Sequence, residues 1–247
     1  MTDKPTRLAF FADSGLDSEV PYTYVVRAVS PRGLESEPSV AVTAAARVIK
    51  EPIFAAAAEA EVRGVVYDGE KLSSQKHGKA RSADGLLEFK EGGHFTFPHR
   101  SEFELSQPLT VECWVWLDKA GKSPVLVSCG RWREAGWFLQ RLGERWRWHV
   151  GGVDCDGGKP ETNRWIHLVG AYDGKTLRLF EDGVQVADAS GGVKTDAFPG
   201  DLHIGQYSGG PSDDFQVTGR MAGVKVYHRP LSTTEVADAS RAKPRKM

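Results

Sequence analysis

The chain has 247 residues, of which 40% are hydrophobic and 26% are charged, a composition typical of a folded globular protein. Its 32 basic and 33 acidic side chains give a formal charge of -1, so binding to nucleic acid is not expected. No apolar run approaches the ~20 residues that cross a bilayer, and the start lacks the apolar segment of a signal peptide. We therefore expect no membrane insertion, and either a chain that stays inside the cell or an export signal outside this sequence.

Residues 1–45 carry a strand pattern of their own. Alternating residues 22–30 precede a Pro-Arg-Gly turn, and residues 35–42 resume the alternation. With its Arg-Ala-Val and Ser-Glu-Pro-Ser elements, this stretch resembles the last two strands of a fibronectin type III domain. Two or three strands bury too little apolar surface to be stable alone. We therefore expect a fragment of such a domain within a larger multidomain protein; a hairpin that packs on the next domain is the alternative.

Residues 46–84 are expected to connect this unit to the next domain. The alanine-rich residues 55–60 favour a short helical turn, although so short a helix needs packing to be stable. Residues 64–67 are a candidate first strand of the following domain. The polar run at 71–79 predicts a solvated loop.

Three cysteines follow, and none belongs to a Cys-x-x-Cys pair, so a zinc site is not expected. Cys113 alternates with Val111 and Val115, which predicts a strand with this thiol in the core. A disulfide between Cys129 and Cys155 stays open, because spacing alone does not establish the required geometry.

Residues 131–149 have the most unusual composition, with four of the chain's seven tryptophans and five arginines. In residues 145–150, the period of a strand sends Trp146, Trp148 and Val150 to one face, which we expect to be the core. The other face and the preceding turn present the candidate site residues, which are Trp132, Arg131, Arg133, Arg145, Arg147 and His149.

Residues 165–187 contain three short apolar-rich runs separated by two Asp-Gly dipeptides. Asp-Gly supplies the positive φ angles of a tight hairpin turn. In the second run, Leu177 and Leu179 alternate with Arg178 and Phe180, the period of a strand with one face in a core. The pattern predicts a meander of three antiparallel strands.

Five blocks of sequence carry a further resemblance. They are the meander, with its Trp-x-His-Leu strand and Tyr-Asp-Gly turn, and residues 95–98, 109–115, 202–205 and 223–232. In this order they resemble the laminin G-like, or concanavalin A-like, jelly-roll domain. The resemblance implies an all-β fold, a two-sheet antiparallel jelly-roll sandwich, at residues 85–240. A capping box at 232–235 predicts a short helix, and a basic tail at 241–247 is expected to fray.

Tryptophan beside arginine suits a sugar-binding surface. The apolar face of a pyranose stacks on an indole ring, while arginine supplies fixed donors to hydroxyl, carboxylate or sulfate oxygens. The candidate residues therefore indicate a carbohydrate or cell-surface glycan, with an acidic or sulfated group, as the partner. Alternatively, the arginines only solvate a sheet face while Trp132 folds back onto the sandwich.

The laminin G-like resemblance also implies a calcium site, but the expected carboxylate positions hold Lys90, His94, Ala222 and Gly223. Calcium prefers several hard oxygen ligands, so that site is expected to be lost and no cofactor is expected. The Asp-Cys-Asp-Gly run at 154–157 is too short a signal for a metal site.

Catalysis finds little support in the sequence. Glycoside cleavage needs two carboxylates facing one bond, and the Glu-x-Asp-x-Glu strand of retaining enzymes of this fold does not occur. We expect a non-catalytic carbohydrate-binding module of a larger, secreted or cell-surface protein. The alternatives are a structural or adhesive spacer that binds another protein, and an accessory part of a polysaccharide-degrading enzyme.

Overall fold

A computed structural model gives the structure of the protein and describes residues 20–45, 50–59, 62–66, 69–105 and 108–244. The chain divides into two compact units, Met1–Lys50 and Glu51–Met247. In the first unit, β1 (Pro21–Tyr24) pairs antiparallel with β2 (Val42–Ala45), and a bridge joins Val29 to Glu35. Large apolar side chains of this unit are exposed, among them Val26, Leu34 and Val40.

The fibronectin type III likeness of residues 1–45 stays a prediction, and residues 1–19 lie outside the described part. Two antiparallel strands form here, but β1 ends at Tyr24, well short of the alternating stretch at 22–30, and β2 begins at Val42, where the run at 35–42 ends.

The second unit consists mainly of strands. They are β3 (Phe54–Ala58), β4 (Val62–Val66), β5 (Lys71–Ser73), β6 (Gln75–Ala83), β7 (Leu86–Phe97), β8 (Leu109–Leu117), β9 (Val125–Arg131), β10 (Ala135–Leu142), β11 (Arg145–Val150), β12 (Val153–Gly157), β13 (Trp165–Tyr172), β14 (Thr176–Glu181), β15 (Val184–Ser190), β16 (Leu202–Ile204) and β17 (Gly219–Tyr227). Two 3-10 turns, Ser101–Phe103 and Asp213–Phe215, and one α-helix, α1 (Thr233–Ala239), accompany the strands. Within the described ranges, no helix has the length and apolar character needed to span a bilayer.

Strand pairing follows the order β12-β11-β10-β9-β16-β7-β17-β8-β13-β14-β15, with β6 attached to β7 and β3 attached to β17. The long strand β7 joins two layers, because residues 95–97 pair with β16 while residues 87–89 pair with β17. Between these segments, Glu91 and Gly92 have φ angles of 40° and 76°, a bulge that lets the strand change sheets. The result is the two-sheet antiparallel jelly-roll sandwich predicted from the sequence.

Alternation along β8 shows how the layers meet. Val111, Cys113 and Val115 are buried in the central core, and the residues between them face the outside of the sheet. Opposite them, Trp148 of β11 lies directly over Gly170 of β13, where an added Cβ would be 2.4 Å from the indole ring. The interior is therefore closely packed at this point.

Within the expected connector at 46–84, the described residues form β3, β4, β5 and β6, which pair within the sandwich. The predicted helical turn at 55–60 is wrong, because β3 pairs with both β4 and β17, and these two ladders outweigh alanine's helical preference. The predicted loop at 71–79 is also wrong, since this run forms β5 and much of β6. Among the described strands β6 pairs only with β7, and its polar sequence is typical of an exposed edge. The candidate strand at 64–67 is confirmed as part of β4 for its described residues.

The meander is confirmed as β13, β14 and β15, with positive φ at Asp182 and Gly183 in the second turn. The capping box is also confirmed: Ser232 and Glu235 exchange the two hydrogen bonds that begin α1. All three cysteines are buried and unbridged, so Cys129 and Cys155 do not pair. The predicted tail lies partly outside the described residues.

Candidate ligand-binding site

A tight turn between β9 and β10 carries the predicted site. Arg133 has a φ of 61°, and the Glu134 N–H donates to the Arg131 carbonyl at 3.1 Å. The Trp132 N–H donates to the Tyr207 hydroxyl at 2.5 Å, and the Arg133 N–H donates to His149 Nε2 at 3.4 Å. Backbone hydrogen bonds therefore hold the turn against the neighbouring loop and sheet.

Trp132 has 44% of its surface accessible, more than any other tryptophan, tyrosine or phenylalanine in the described part of the chain. The Arg133 guanidinium lies 4.3 Å from the centre of the indole ring, within cation–π distance. Tyr207 beside it makes edge contacts with Phe138 and Phe215. The indole therefore keeps an accessible surface and does not fold back into the core.

The two arginines of β11, Arg145 and Arg147, form the arginine row of the predicted site. They are already paired with carboxylates on β12. Strand register places Arg147 opposite Asp156, and two hydrogen bonds of 2.7 and 2.8 Å join them. Arg147 also lies 3.1 Å from Asp154, and only 13% of its side chain is exposed. Arg145 pairs with Asp156 at 3.3 Å. Arg147 therefore has little free charge for an anionic ligand, whereas Arg145 is 57% exposed and makes a single ion pair.

The expectation that His149 faces solvent is wrong. Its ring is fully buried and stacks on Phe138 with 4.4 Å between the centroids. Since Nε2 accepts from the Arg133 N–H, the ring proton sits on Nδ1 and donates to Asp154 at 2.6 Å. Burial raises the pKa of Asp154, but the hydrogen bond from His149 and the charge of Arg147 outweigh it and lower that pKa. His149 therefore supports the turn from its buried side, by accepting the Arg133 N–H.

The remaining predicted cations, Arg131 and Arg133, differ in whether a carboxylate pairs with them. Arg131 pairs with Glu134 at 3.2 Å, an exposed pair that water weakens. Among the described residues, Arg133 has no carboxylate within ion-pair distance. Trp146 and Trp148 are fully buried, which confirms their predicted place in the core, and Trp137 joins them. The exposed part of the predicted site is therefore Trp132 with its two flanking arginines and, on β11, Arg145, whose side chain is 57% exposed.

A second surface was not predicted. It lies on the outer face of the other sheet, where β8 presents Glu112, Trp114 and Trp116. A cleft of about 580 Å³ opens here; its lining includes Asp84, Leu86, Glu112, Trp114, Ala222, Lys225 and Ala242. The signal was available, because the predicted inward position of Cys113 sends its immediate neighbours Glu112 and Trp114 outward.

Glu112 is the polar centre of this second surface. Its carboxylate accepts from the Tyr227 hydroxyl at 2.8 Å and from His167 Nε2 at 3.2 Å, and Lys225 Nζ lies 3.4 Å from both oxygens. Burial raises the pKa of Glu112, but the hydrogen bond from His167 and the charge of Lys225 outweigh it and lower that pKa. Burial, followed by the charge of Glu112, raises the pKa of Tyr227. The carboxylate is ionised and its oxygens are occupied by neighbouring donors.

Across the part of the chain that the structure describes, no three His, Cys, Asp or Glu side chains are grouped as a metal site requires. The Asp-Cys-Asp-Gly run is instead the β12 strand, whose carboxylates bind Arg147 and His149. Its oxygens are therefore engaged by protein donors.

Residues 89–237 match the family model described as the concanavalin A-like lectin/glucanases superfamily. The chain belongs to this superfamily. No curated protein matches the sequence. The laminin G-like likeness inferred from the five sequence blocks is thus confirmed at the level of the family.

Several solved structures resemble this superfamily member. The receptor-binding domain of botulinum neurotoxin type G is 12% identical with a TM-score of 0.59, over 78% of this chain and 51% of that one. The serotype D binding domain is 10% identical with a TM-score of 0.61, over 78% and 52%. The binding domain of Paraclostridial Mosquitocidal Protein 1 is 15% identical with a TM-score of 0.61, over 76% and 51%. These identities show a shared fold alone, and the chain spans about half the length of these structures.

Proposed function

We propose that the sandwich is a non-catalytic carbohydrate-binding module, and that Trp132 is its principal contact. The observation that carries this proposal is the exposed indole, held on a turn whose backbone is hydrogen-bonded on both sides. Keeping the apolar surface of a tryptophan in water is unfavourable. A sugar face that stacks on the ring removes this surface from water and thereby stabilises the complex. A fixed ring also loses little conformational entropy when a ligand stacks on it.

Arg133 and Arg131 supply the polar contacts in this proposal. Arg133 lies beside the ring without a carboxylate partner in the described residues, and its guanidinium can donate to a hydroxyl, carboxylate or sulfate group. Arg147 contributes indirectly, because its partner Asp154 accepts from His149, which holds the turn. Arg145 pairs with Asp156 alone, and 57% of its side chain is exposed. The preference for an acidic or sulfated glycan then depends on Arg133 and, more weakly, on Arg131.

Two observations support a binding role over a catalytic one. A glycosidase needs one carboxylic acid kept protonated beside a second carboxylate. Near the turn, Asp154 has a lowered pKa, and Asp156 is bound to Arg147. The superfamily includes lectins as well as glucanases, and the neighbouring structures are described as binding domains. We place the module in a larger secreted or cell-surface protein, as expected from the sequence.

Glycan-affinity gels and a glycan array test the proposal, with wild type compared to Trp132→Ala. Removing a stacked aromatic should weaken binding by about 1–3 kcal/mol, roughly 5- to 150-fold in Kd. Val184→Ala is the control, because Val184 is exposed at the start of β15, outside the turn. Arg133→Gln should weaken binding to sulfated glycans more than to neutral ones.

Three results would count against this function. Binding that is unchanged in Trp132→Ala removes the turn from the site. No retention on any neutral, acidic or sulfated glycan favours a protein-binding spacer. Release of reducing ends from a polysaccharide panel would replace the binding module by an enzyme.

A further inference from the structure

Asp154 of β12 connects Arg147 to the turn that carries Trp132. Its Oδ1 atom is 2.6 Å from His149 Nδ1, and its Oδ2 atom is 3.1 Å from the Arg147 guanidinium. Arg147 is itself fixed by two hydrogen bonds to Asp156, so its contact holds the Asp154 carboxylate in place. Asp154 is therefore a fixed, charged acceptor beside the turn.

The His149 ring carries the effect of Asp154 to the backbone of the turn. Two N–H groups, those of Arg133 and Gly152, donate to Nε2 at 3.4 Å each, so this nitrogen carries no proton. The proton on Nδ1 then needs an acceptor, because the ring is fully buried and a buried donor without a partner is costly. Without Asp154, either this donor stays unpaired or the proton moves to Nε2, which then cannot accept from the turn.

The Trp132 side chain reaches the same carboxylate directly. Burial raises the pKa of Asp154, and the hydrogen bond from His149 and the charge of Arg147 outweigh it. A hydrogen bond from the Trp132 side chain adds to this lowering as its weakest contribution. The indole has one donor, Nε1–H, so this edge of the ring is turned to Asp154.

The direction of the ring matters because the indole is already in contact with an arginine. The Arg133 guanidinium lies over the Trp132 ring, 4.3 Å from its centre. At most one face of the indole is then left for a stacked ligand. Stacking on that face depends on how the ring is turned, and a contact to the Nε1–H edge sets this direction.

We propose that Asp154 is a positioning residue of the Trp132 site, which fixes the tautomer of His149 and the direction of the indole ring. The inference rests on the proposed function for its effect on binding. Its effect on the two rings does not require a ligand and is measured separately.

Asp156 provides a matched comparison. It lies on the same strand, but the register places it opposite Arg147, whereas Asp154 is opposite His149. It makes the two-bond contact with Arg147 and pairs with Arg145 at 3.3 Å. Replacing either aspartate by alanine removes one negative charge and breaks a contact with Arg147. An effect of charge or of general destabilisation would therefore appear in both variants, whereas a loss of positioning would appear in Asp154→Ala alone.

Nuclear magnetic resonance spectra of the isotope-labelled full chain test the positioning without a ligand. The nitrogen signals of His149 report its tautomer, and the indole N–H signal of Trp132 reports its contact with Asp154; His149→Gln and Trp132→Phe assign them by their loss. Wild type should show His149 protonated at Nδ1. Asp154→Ala should change this tautomer and shift the Trp132 signal, whereas Asp156→Ala should leave both close to wild type.

Binding to a glycan that wild type retains gives the second readout. Asp154→Ala should bind roughly tenfold more weakly than Asp156→Ala, which carries the same charge. Asp154→Asn keeps one acceptor oxygen for Nδ1–H, so it should preserve the His149 tautomer and recover part of the affinity. If Asp154→Ala does not fold, Asp154→Asn and Asp156→Asn replace the alanine pair, with a smaller difference of the same sign.

Equal changes of the His149 and Trp132 signals in the two alanine variants overturn the proposal. So do signals that neither variant moves, or equal affinities of the two variants. A chain that retains no glycan removes the proposed function, while the spectra still decide whether Asp154 positions the two rings. The two proposals therefore fail separately.

Discussion

Replacing Glu112 by glutamine tests the polar cluster beneath the cleft. The carboxylate holds Tyr227 at 2.8 Å, His167 at 3.2 Å and Lys225 at 3.4 Å. The amide keeps the shape and one acceptor oxygen, so the variant loses about one charge-assisted hydrogen bond and leaves an ammonium unpaired. Each hydrogen bond to a charged group contributes about 1.5–3 kcal/mol, and water reaches Lys225. We therefore expect the free energy of unfolding at pH 7 to fall by about 2–3 kcal/mol.

Urea unfolding followed by tryptophan fluorescence measures this loss. All seven tryptophans lie between residues 114 and 165, so the signal reports the sandwich and not the first unit. Glu88→Gln is the control, because Glu88 is also buried on an outer face but pairs with one exposed cation, Arg81. We expect a clearly smaller loss for Glu88→Gln, since Arg81 remains hydrated when its partner is removed.

The difference in the free energy of unfolding between wild type and Glu112→Gln also depends on pH. The pKa of Glu112 in the folded protein is below its ordinary value of 4.5, so folding favours the ionised form. The stability that the charge contributes is complete above that ordinary value and is lost as the pH falls through the lowered pKa. Equal losses of unfolding free energy for Glu112→Gln and Glu88→Gln at pH 7 would refute the reasoning. So would a stability difference between wild type and Glu112→Gln that grows as the pH is lowered.

Two further predictions concern the interior. Gly170→Ala places a Cβ 2.4 Å from the Trp148 ring, so the ring must shift; the same urea assay should show a loss of about 1–3 kcal/mol, and unchanged stability would contradict the close packing. Burial raises the pKa of all three cysteines, that of Cys155 to about 12, so a thiol reagent should label them slowly in the native protein and fast in urea. Fast labelling of the native protein would show that the core opens readily.

The sequence predicted best those features that depend on neighbouring residues. The Asp-Gly turns fixed the meander because the turn geometry is set within four residues. The alanine-rich run at 55–60 misled, because its state depends on ladders to β4 and to the distant β17. The polar run at 71–79 misled for a related reason. An edge strand has polar side chains like a loop, and only its partner β7 distinguishes the two.

The pairing of the arginine row could have been predicted from one turn. Gly151-Gly152 joins Val150 to Val153, and a two-residue turn of this kind fixes the register of the flanking strands. Counting outward from it places His149 opposite Asp154 and Arg147 opposite Asp156, as observed. Weighing Asp154 and Asp156 only as possible metal ligands, and otherwise as a loop, hid this pairing. The burial of His149 depends on packing against Phe138, which the register alone does not give.

The tryptophans show why density along the chain is a poor guide to a shared surface. Four of them fall within residues 131–149, yet three of these are in the core and only Trp132 is exposed. The other three, Trp114, Trp116 and Trp165, come from two strands some fifty residues apart and meet on the outer face of the second sheet. Adjacent positions on a strand face opposite sides, whereas distant strands in register share one face. A surface that several tryptophans share must therefore be sought across strands, which is how the cleft beside Trp114 is assembled.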